Sequence, residues 1–472
     1  MAKGATSKGP SSAQREMRAL RARIEASPAG KVKVAITDLD GILRGKYLHK
    51  DKLSAALEGG FGFCNVVFGW DAADACYDEA SYGDGVAYTG WHTGYPDAHA
   101  RLDLATYREV PWDGRVPFLL GDFVDEAGGP LPICPRQVLK RVLARAAQAG
   151  LVPLASLEYE FFHFRETPDS LAQKGYADPR PLSPGMFGYS LIRLGQSRDY
   201  VNALFDEMAA FGVPVEGLHT ETGPGVMEAA ILYSDALEAA DRAVLFKTGA
   251  KEIGQRFQIM PSFMAKWNAE LPGCSGHIHQ SLWDPARKKN LFHEEGDPRR
   301  MSALFRSYVA GQLAALPELL VMLAPTVNSY KRLVEGAWAP TKANWGVDNR
   351  TTALRVIPGG AKSTRLETRV GGSDANPYLA LAAAIGAGLA GVERKLKLEL
   401  DPVTGSGYAD GRAAPLPRNL GEATDRFASS ALARDLFGPT FVDHFAASRR
   451  WEWRQFGKAV TDWERRRYFE II

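Results

Sequence analysis

The chain is predicted to be α+β, a small and mostly β region followed by a larger mixed one, and three observations predict it. Val32, Val34 and Ile36 alternate with Lys31, Lys33 and Ala35 and run into Asp38-Leu39-Asp40-Gly41, the pattern of a strand entering a turn. At Pro135 a helical period begins, with Val138, Leu139, Val142, Leu143 and Ala146 on one face of 136–149. Beyond it, helical and strand patterns mix without the regular βαβα alternation of a doubly wound sheet.

The elements divide the chain at two places. Residues 1–30 read as a small, polar, flexible tail to about residue 12, then an amphipathic helix from Ser12 to Ala26 carrying Met17, Leu20 and Ile24. Residues 31–130, short strands between Gly/Pro/Asp-rich loops, form the small β region, and residues 131–472 the larger one. The longest apolar run, 378–392, falls short of the roughly 20 residues a membrane-spanning helix needs and reads as a buried helix.

Composition removes whole classes of function. A chain of 472 residues with 45% hydrophobic and 24% charged residues is neither a short interaction module nor disordered. Lys and Arg total 57 against 55 Asp and Glu, so no charge excess exists for a nucleic-acid surface. The four cysteines, Cys64, Cys76, Cys134 and Cys274, contain no C-x-x-C pair, which argues against a disulfide framework or a thiolate zinc site. The first 26 residues hold no apolar core of signal-peptide length. The expectation is therefore cytoplasmic, with neither nucleic acid nor membrane as partner.

Four constellations carry chemistry. In 154–164 the aromatic and apolar content indicates a strand whose period of two puts Glu158 and Glu160 on one face. Like charges so close demand a metal or an arginine, although a solvated edge strand also fits the pair taken alone. In His219-Thr220-Glu221-Thr222-Gly223-Pro224-Gly225-Val226-Met227-Glu228 the Gly-Pro-Gly turn brings Glu221 and Glu228 together. His277, His279 and Ser281 share one face of 276–282, where a satisfied core histidine is a commoner explanation than a ligand. Arg365, Glu367 and Arg369 share another, readable also as a surface ion-pair ladder, with Arg332, Arg350 and Arg355 upstream.

Five or more carboxylates, a histidine and about five arginines together suit oxygen-loving divalent ions acting on a phosphate-bearing substrate. Phosphoryl transfer uses this inventory, and no P-loop motif occurs to supply an alternative.

Five motifs in order, LEYEFF, HTETGPGVME, GHIHQSL, NSYKRL with DNRTTALRVIP, and RLETRVGGSDANPYL, resemble those of the glutamine synthetase family over roughly residues 31–395. The form of HTETGPGVME, GHIHQSLW and WGVDNRT is most similar to the branch joining glutamate to organic amines. The resemblance implies a β-grasp-like N-terminal domain before a catalytic α+β domain. It implies two or more Mg2+ or Mn2+ ions, one held by Glu160, Glu221 and Glu228 and another by Glu158, His277 and Glu367. ATP as substrate would meet Glu216, His279, Ser281, Arg350, Lys362 and Arg365, and L-glutamate would meet Gly273, Arg332 and Arg369. Arg350 and Arg355 would face the transferred phosphate. Attack of the glutamate γ-carboxylate on ATP would give γ-glutamyl phosphate, from which an amine displaces phosphate.

Departures from the family pattern direct the choice of amine. Trp338 stands where ammonia-using members carry a flap glutamate, and an indole in its place favours an amine with an apolar body. Glu335, three residues earlier, is the alternative supplier of that carboxylate, which would leave an ammonia-using synthetase. Val226 and Pro272 stand where many members have glutamine and asparagine. Asp38 matches an aspartate that reaches into the neighbouring subunit's site, implying a homo-oligomer, a dodecameric ring by family. All six ligand positions are acidic or histidine, which argues against a non-catalytic descendant.

Overall fold

The computed structural model describes residues 12–77 and 88–472; the tail expected before residue 12 lies outside them. The alternation at Val32 and Val34 becomes β1 (Lys31–Thr37). It lies in a six-stranded sheet with β2 (Leu43–His49), β3 (Phe61–Cys64), β4 (Asp97–Leu102), β5 (Arg108–Val110) and β6 (Val116–Val124). The order is β2-β1-β6-β4-β3, with β5 added against β6, and only the β1–β6 pairing is parallel. One face of β1 buries Val32 and Val34 against Leu20 and Ile24 of helix Ser12–Ala26 and Leu53 and Leu57 of helix Lys50–Gly59. Ala35 and Ile36 join the main core.

Helix Lys50–Gly59 falls in a stretch read as strands and loops. Its buried Leu53, Ala56 and Leu57 are a true helical stripe, but ten mostly polar residues hold too few repeats to stand out. Helix Pro135–Gln148 forms where its period placed it, with proline in the first turn, where the missing N–H costs nothing. Its Arg136 is 3% exposed and donates to Asp103, Asp122 and Asp241, tying the central β6 of the first sheet to the helix Ala236–Arg256.

The larger sheet has nine strands, numbered through two short ones outside it: β7 (Val152–Phe164), β8 (Val215–Thr220), β9 (Val226–Ile231), β10 (Ser234–Asp235), β11 (Met260–Ser262), β12 (Gly276–Trp283), β13 (Lys342–Ala343), β14 (Trp345–Val347), β15 (Leu354–Ile357), β16 (Arg365–Thr368) and β17 (Ala414–Pro415). The order is β14-β15-β16-β12-β7-β9-β8, with β10 and β11 on the ends of β7, while β13 and β17 pair separately. One face of this sheet is the core. There Leu157, Tyr159, Phe161, Ile278 and Leu366 pack with the helices Ala236–Arg256, Ala303–Leu319 and Pro377–Glu393.

The apolar run 378–392 lies in the buried helix Pro377–Glu393. Among the described residues no helix is long and apolar enough to cross a membrane. Asn376 caps it by accepting from the Tyr378 N–H, and its amide donates to the Asp38 and Leu39 carbonyls at 3.0 and 3.1 Å, anchoring the β1–β2 turn. The helix meets Ala303–Leu319 backbone to backbone. A Cβ on Gly391 would lie 2.2 Å from the Ser307 carbonyl oxygen, and one on Gly311 would lie 2.4 Å from that of Ala387.

Candidate active site

The open face of the nine-stranded sheet is built by register. Glu158 lies opposite His277, Glu160 opposite Glu228, Glu228 opposite His219, and Glu367 opposite both His279 and Arg355. Directly opposed residues point to the same face with Cβ atoms about 5 Å apart, so pairing alone gathers these groups from six strands. β7 is bonded on both sides, by β12 and β9, which excludes the edge-strand reading of Glu158 and Glu160. Ile278, Gln280, Leu366 and Thr368 face the core, where the Gln280 amide donates to Thr368 and accepts from Tyr308 and Gln312.

The gathered groups line a cavity of about 510 Å³ that contains every residue assigned above to a metal and to glutamate, with Trp338, Arg350 and Arg355. Within it Glu158 accepts from His279 at 2.8 Å, and Glu160 accepts from the Ser275 N–H at 2.7 Å. Glu367 accepts from Arg355 at 2.9 Å and from Arg369. His219 stands 3.2 Å from Glu228 and 3.5 Å from Glu221.

The charge is arranged unevenly. Burial pushes the Glu228 carboxyl far up, helped by Glu158, Glu160 and Glu221 around it. Burial alone raises Glu367 too, but His277 and the Arg369 guanidinium bring it to about 2. Burial, then Arg369, lowers His277 to about 3, and its Nε2 is buried without a hydrogen-bond partner. Crowded carboxylates beside an unbonded imidazole nitrogen form a hard-oxygen-plus-imidazole donor set, which suits Mg2+ or Mn2+.

Two groups of three donors lie within 4.8 Å of one another, Glu158 with Glu228 and His277, and His219 with Glu221 and Glu228. This partition differs from the expected one. Glu228 stands in both groups, Glu367 is engaged by two arginines, and His219 is a donor to which no role was assigned. Glu221 lies one residue past the end of β8, so a strand's period did not tie His219 to it.

A second cavity of about 380 Å³ shares Glu158, His279 and Arg365 with the first and adds Glu216, Ser281 and Lys362, with Tyr233 and Trp283 as aromatic walls. These are the residues assigned to the nucleotide, except that Arg350 lines the larger cavity only. Arg332 is 1% exposed and donates to Ser275 Oγ and the carbonyls of Val370 and Gly371, with no carboxylate bonded to it among the described residues. Gly273 packs on it so closely that a Cβ there would sit 2.5 Å from Arg332 Cγ.

Asp38 and Tyr189 are placed apart from the motif residues in the sequence. Asp38 does not line the cavity. It is 2% exposed, and its carboxylate accepts from the Asp40 and Ile42 N–H groups of its own turn and from Arg44 at 2.8 Å. Tyr189, which no motif marked, lines the cavity and stacks on His219 with ring centres 4.4 Å apart. It arrives from a loop remote in sequence and without periodicity. Trp338 lies at the mouth, 62% exposed and left-handed at φ 59°, whereas Glu335 is not part of the wall.

A register-built carboxylate–histidine–arginine pocket beside a second, aromatic-walled one has the donor chemistry that suits divalent ions and phosphate groups. Residues 132–468 match the glutamine synthetase catalytic domain, and the chain belongs to that family. It is 52% identical over 453 residues to type-1 glutamine synthetase 2 of Dictyostelium discoideum, covering 95% of this chain and 85% of that one. It is 36% identical to the glutamate–isopropylamine ligase of a Pseudomonas species, over 95% and 97% of the two chains. The solved complex of GmaS with ADP superposes with a TM-score of 0.81 at 30% identity, covering 95% of this chain and 99% of that one. The chain is accordingly an ATP-dependent carbon–nitrogen ligase, of a family dependent on ATP and divalent metal ions.

Proposed function

We propose that the enzyme joins the γ-carboxyl of L-glutamate to a compact organic monoamine at the expense of ATP. The observation that carries this reading is Trp338 at the cavity mouth, with Tyr189, Val226, Pro272 and Ala337 as further walls and no carboxylate from Glu335 among them. Such a wall accepts a short carbon body and cannot pair with a second ammonium, which disfavours a polyamine.

Glu158, Glu160, Glu221, Glu228, His277 and Glu367 would hold the divalent ions, with His219 beside them. Bound there, the ions supply neutralisation of phosphate charge. The chain's own groups do the remainder. Arg332, buried without a carboxylate partner, and Arg369 offer guanidiniums to the glutamate carboxylates. Lys362, Arg365, Ser281 and Glu216 would seat the nucleotide in the adjoining cavity. The glutamate γ-oxygen attacks the γ-phosphorus as the bond to ADP breaks, Arg350 and Arg355 stabilise the charge on the transferred group, and the amine nitrogen then displaces phosphate from the acyl carbon. The amine loses one proton as the amide bond forms.

A second reading, ammonia as the nitrogen donor, is favoured by the name of the Dictyostelium relative. Phosphate release with glutamate, ATP and Mg2+ against ammonium, methylamine, isopropylamine, ethanolamine and putrescine separates the two. The first reading expects a monoamine to exceed ammonium in kcat/KM. Turnover with ammonium alone would establish the second.

A further inference from the structure

A third cavity, of about 340 Å³, shares no lining residue with the two already described. It lies between the end of helix Ser12–Ala26, β5 and the turn at 210–212, and its charged lining is dominated by Arg23, Arg108 and Arg115. Arg108 is 9% exposed. Its Nη atoms donate to the Thr106 carbonyl at 2.9 Å and to Glu238 at 2.7 Å, but its Nε is buried with no partner. An unbonded buried guanidinium N–H is costly to maintain without a ligand. Gly212 leaves the approach to it open, since a Cβ there, at φ +79°, would come within 3.3 Å of that Nε.

The surroundings carry surplus positive charge. Glu238 is shared between Arg108 and Arg242, and Glu109 is taken by Arg115. Arg23 lies 4.5 Å over the Tyr107 ring, with no ion-pair partner among the described residues. The lining thus holds three guanidiniums and one carboxylate, Glu109. Tyr107, Pro111 and Phe211 add an apolar wall, and the volume is at the lower end of the roughly 300–1,000 Å³ of small-molecule sites.

We propose that this cavity binds a small organic anion carrying carboxylate or phosphate, its oxyanion on Arg108 Nε between Arg23 and Arg115 and its carbon body on Tyr107 and Phe211. Guanidinium forks recognise both groups. Titration calorimetry of the full chain with succinate and, separately, with inorganic phosphate tests it and distinguishes the two. At least one probe is expected to bind, with that binding weakened tenfold or more in R23A/R115A while KM for glutamate and ATP is unchanged. The single variant R115A, on a side chain 75% exposed, repeats the test should the double variant fail to fold. R115K should lose less affinity than R115A. Absence of binding by either probe at 20 mM, or affinity unaltered in the variants, would overturn the site. So would variants that change only the mass of the assembly, which would assign these arginines to contact with a second copy.

Discussion

Trp338 concentrates the question of substrate in one side chain. A bulky residue in the left-handed region is strained by about 1–3 kcal/mol, and such strain persists where the surroundings enforce it, commonly at ligand clamps. Replacing it with glutamate, W338E, is expected to lower kcat/KM for the preferred organic amine by about thirtyfold, the worth of a desolvated cation–π contact of roughly 2 kcal/mol, and to raise that for ammonium. Steady-state phosphate release with both donors checks this, and a fall for both alike would remove the indole from amine selection. Glu228 poses a different problem. Buried among Glu158, Glu160 and Glu221, it gains most from a bound cation. E228Q keeps the shape and removes the charge, and Mn2+ affinity should fall by at least roughly tenfold, the lower figure for a group that merely orients a ligand. Calorimetry of Mn2+ binding in the absence of substrates reads that directly.

At the scale of elements, the site depends on β7 being held from both sides, and the sheet in turn depends on three helices behind it. Helices Ala303–Leu319 and Pro377–Glu393 approach closely because Gly311 and Gly391 face one another. G391A places a methyl group against the Ser307 carbonyl and is expected to destabilise the fold by about 1–3 kcal/mol through overpacking, measured by denaturant unfolding. The faces of these elements were legible in sequence. A strand's period of two assigned Glu158 with Glu160, and His277 with His279, to shared faces, and with Glu367 all of them lie on the cavity side of the sheet. Which faces meet was not legible. Nothing local distinguishes Glu158 opposite His277 from a shift of two residues, which preserves every face and changes every partner. His219 escaped assignment for a related reason, since its role appears only once β8 is laid beside β9.

Across the whole molecule, buried polar groups join the two sheets and make stability depend on pH. His444 accepts from the Tyr88 N–H and donates to the Phe68 carbonyl at 2.9 Å, binding helix Pro439–Lys458 to the first sheet's loops. Burial lowers it to about 4, and burial does the same to His163. Both values lie below the ordinary 6.5, so the folded state prefers the neutral ring. That preference is fully expressed above pH 6.5 and lost as pH falls towards 4, by roughly 3 kcal/mol for each ring. Denaturant unfolding at pH 7 and pH 4.5 should show the decline, and H444Q should flatten its share of it. An equal slope in H444Q would show that other groups carry the acid sensitivity.

Sequence by itself determined the α+β class, the helices at Pro135 and Pro377, the family and the residue types of the pocket, because periodicity and motif order are local properties that survive in any correct fold. Tertiary structure alone decided the rest. It set His219 beside Glu228, gave Glu367 to Arg355 and Arg369, brought Tyr189 to the wall, and bonded Asp38 to its own turn. Each of these outcomes depends on which distant backbone segments share a hydrogen-bond ladder or a core. That choice is made by burial summed over the whole chain, and no short window of residues contains it.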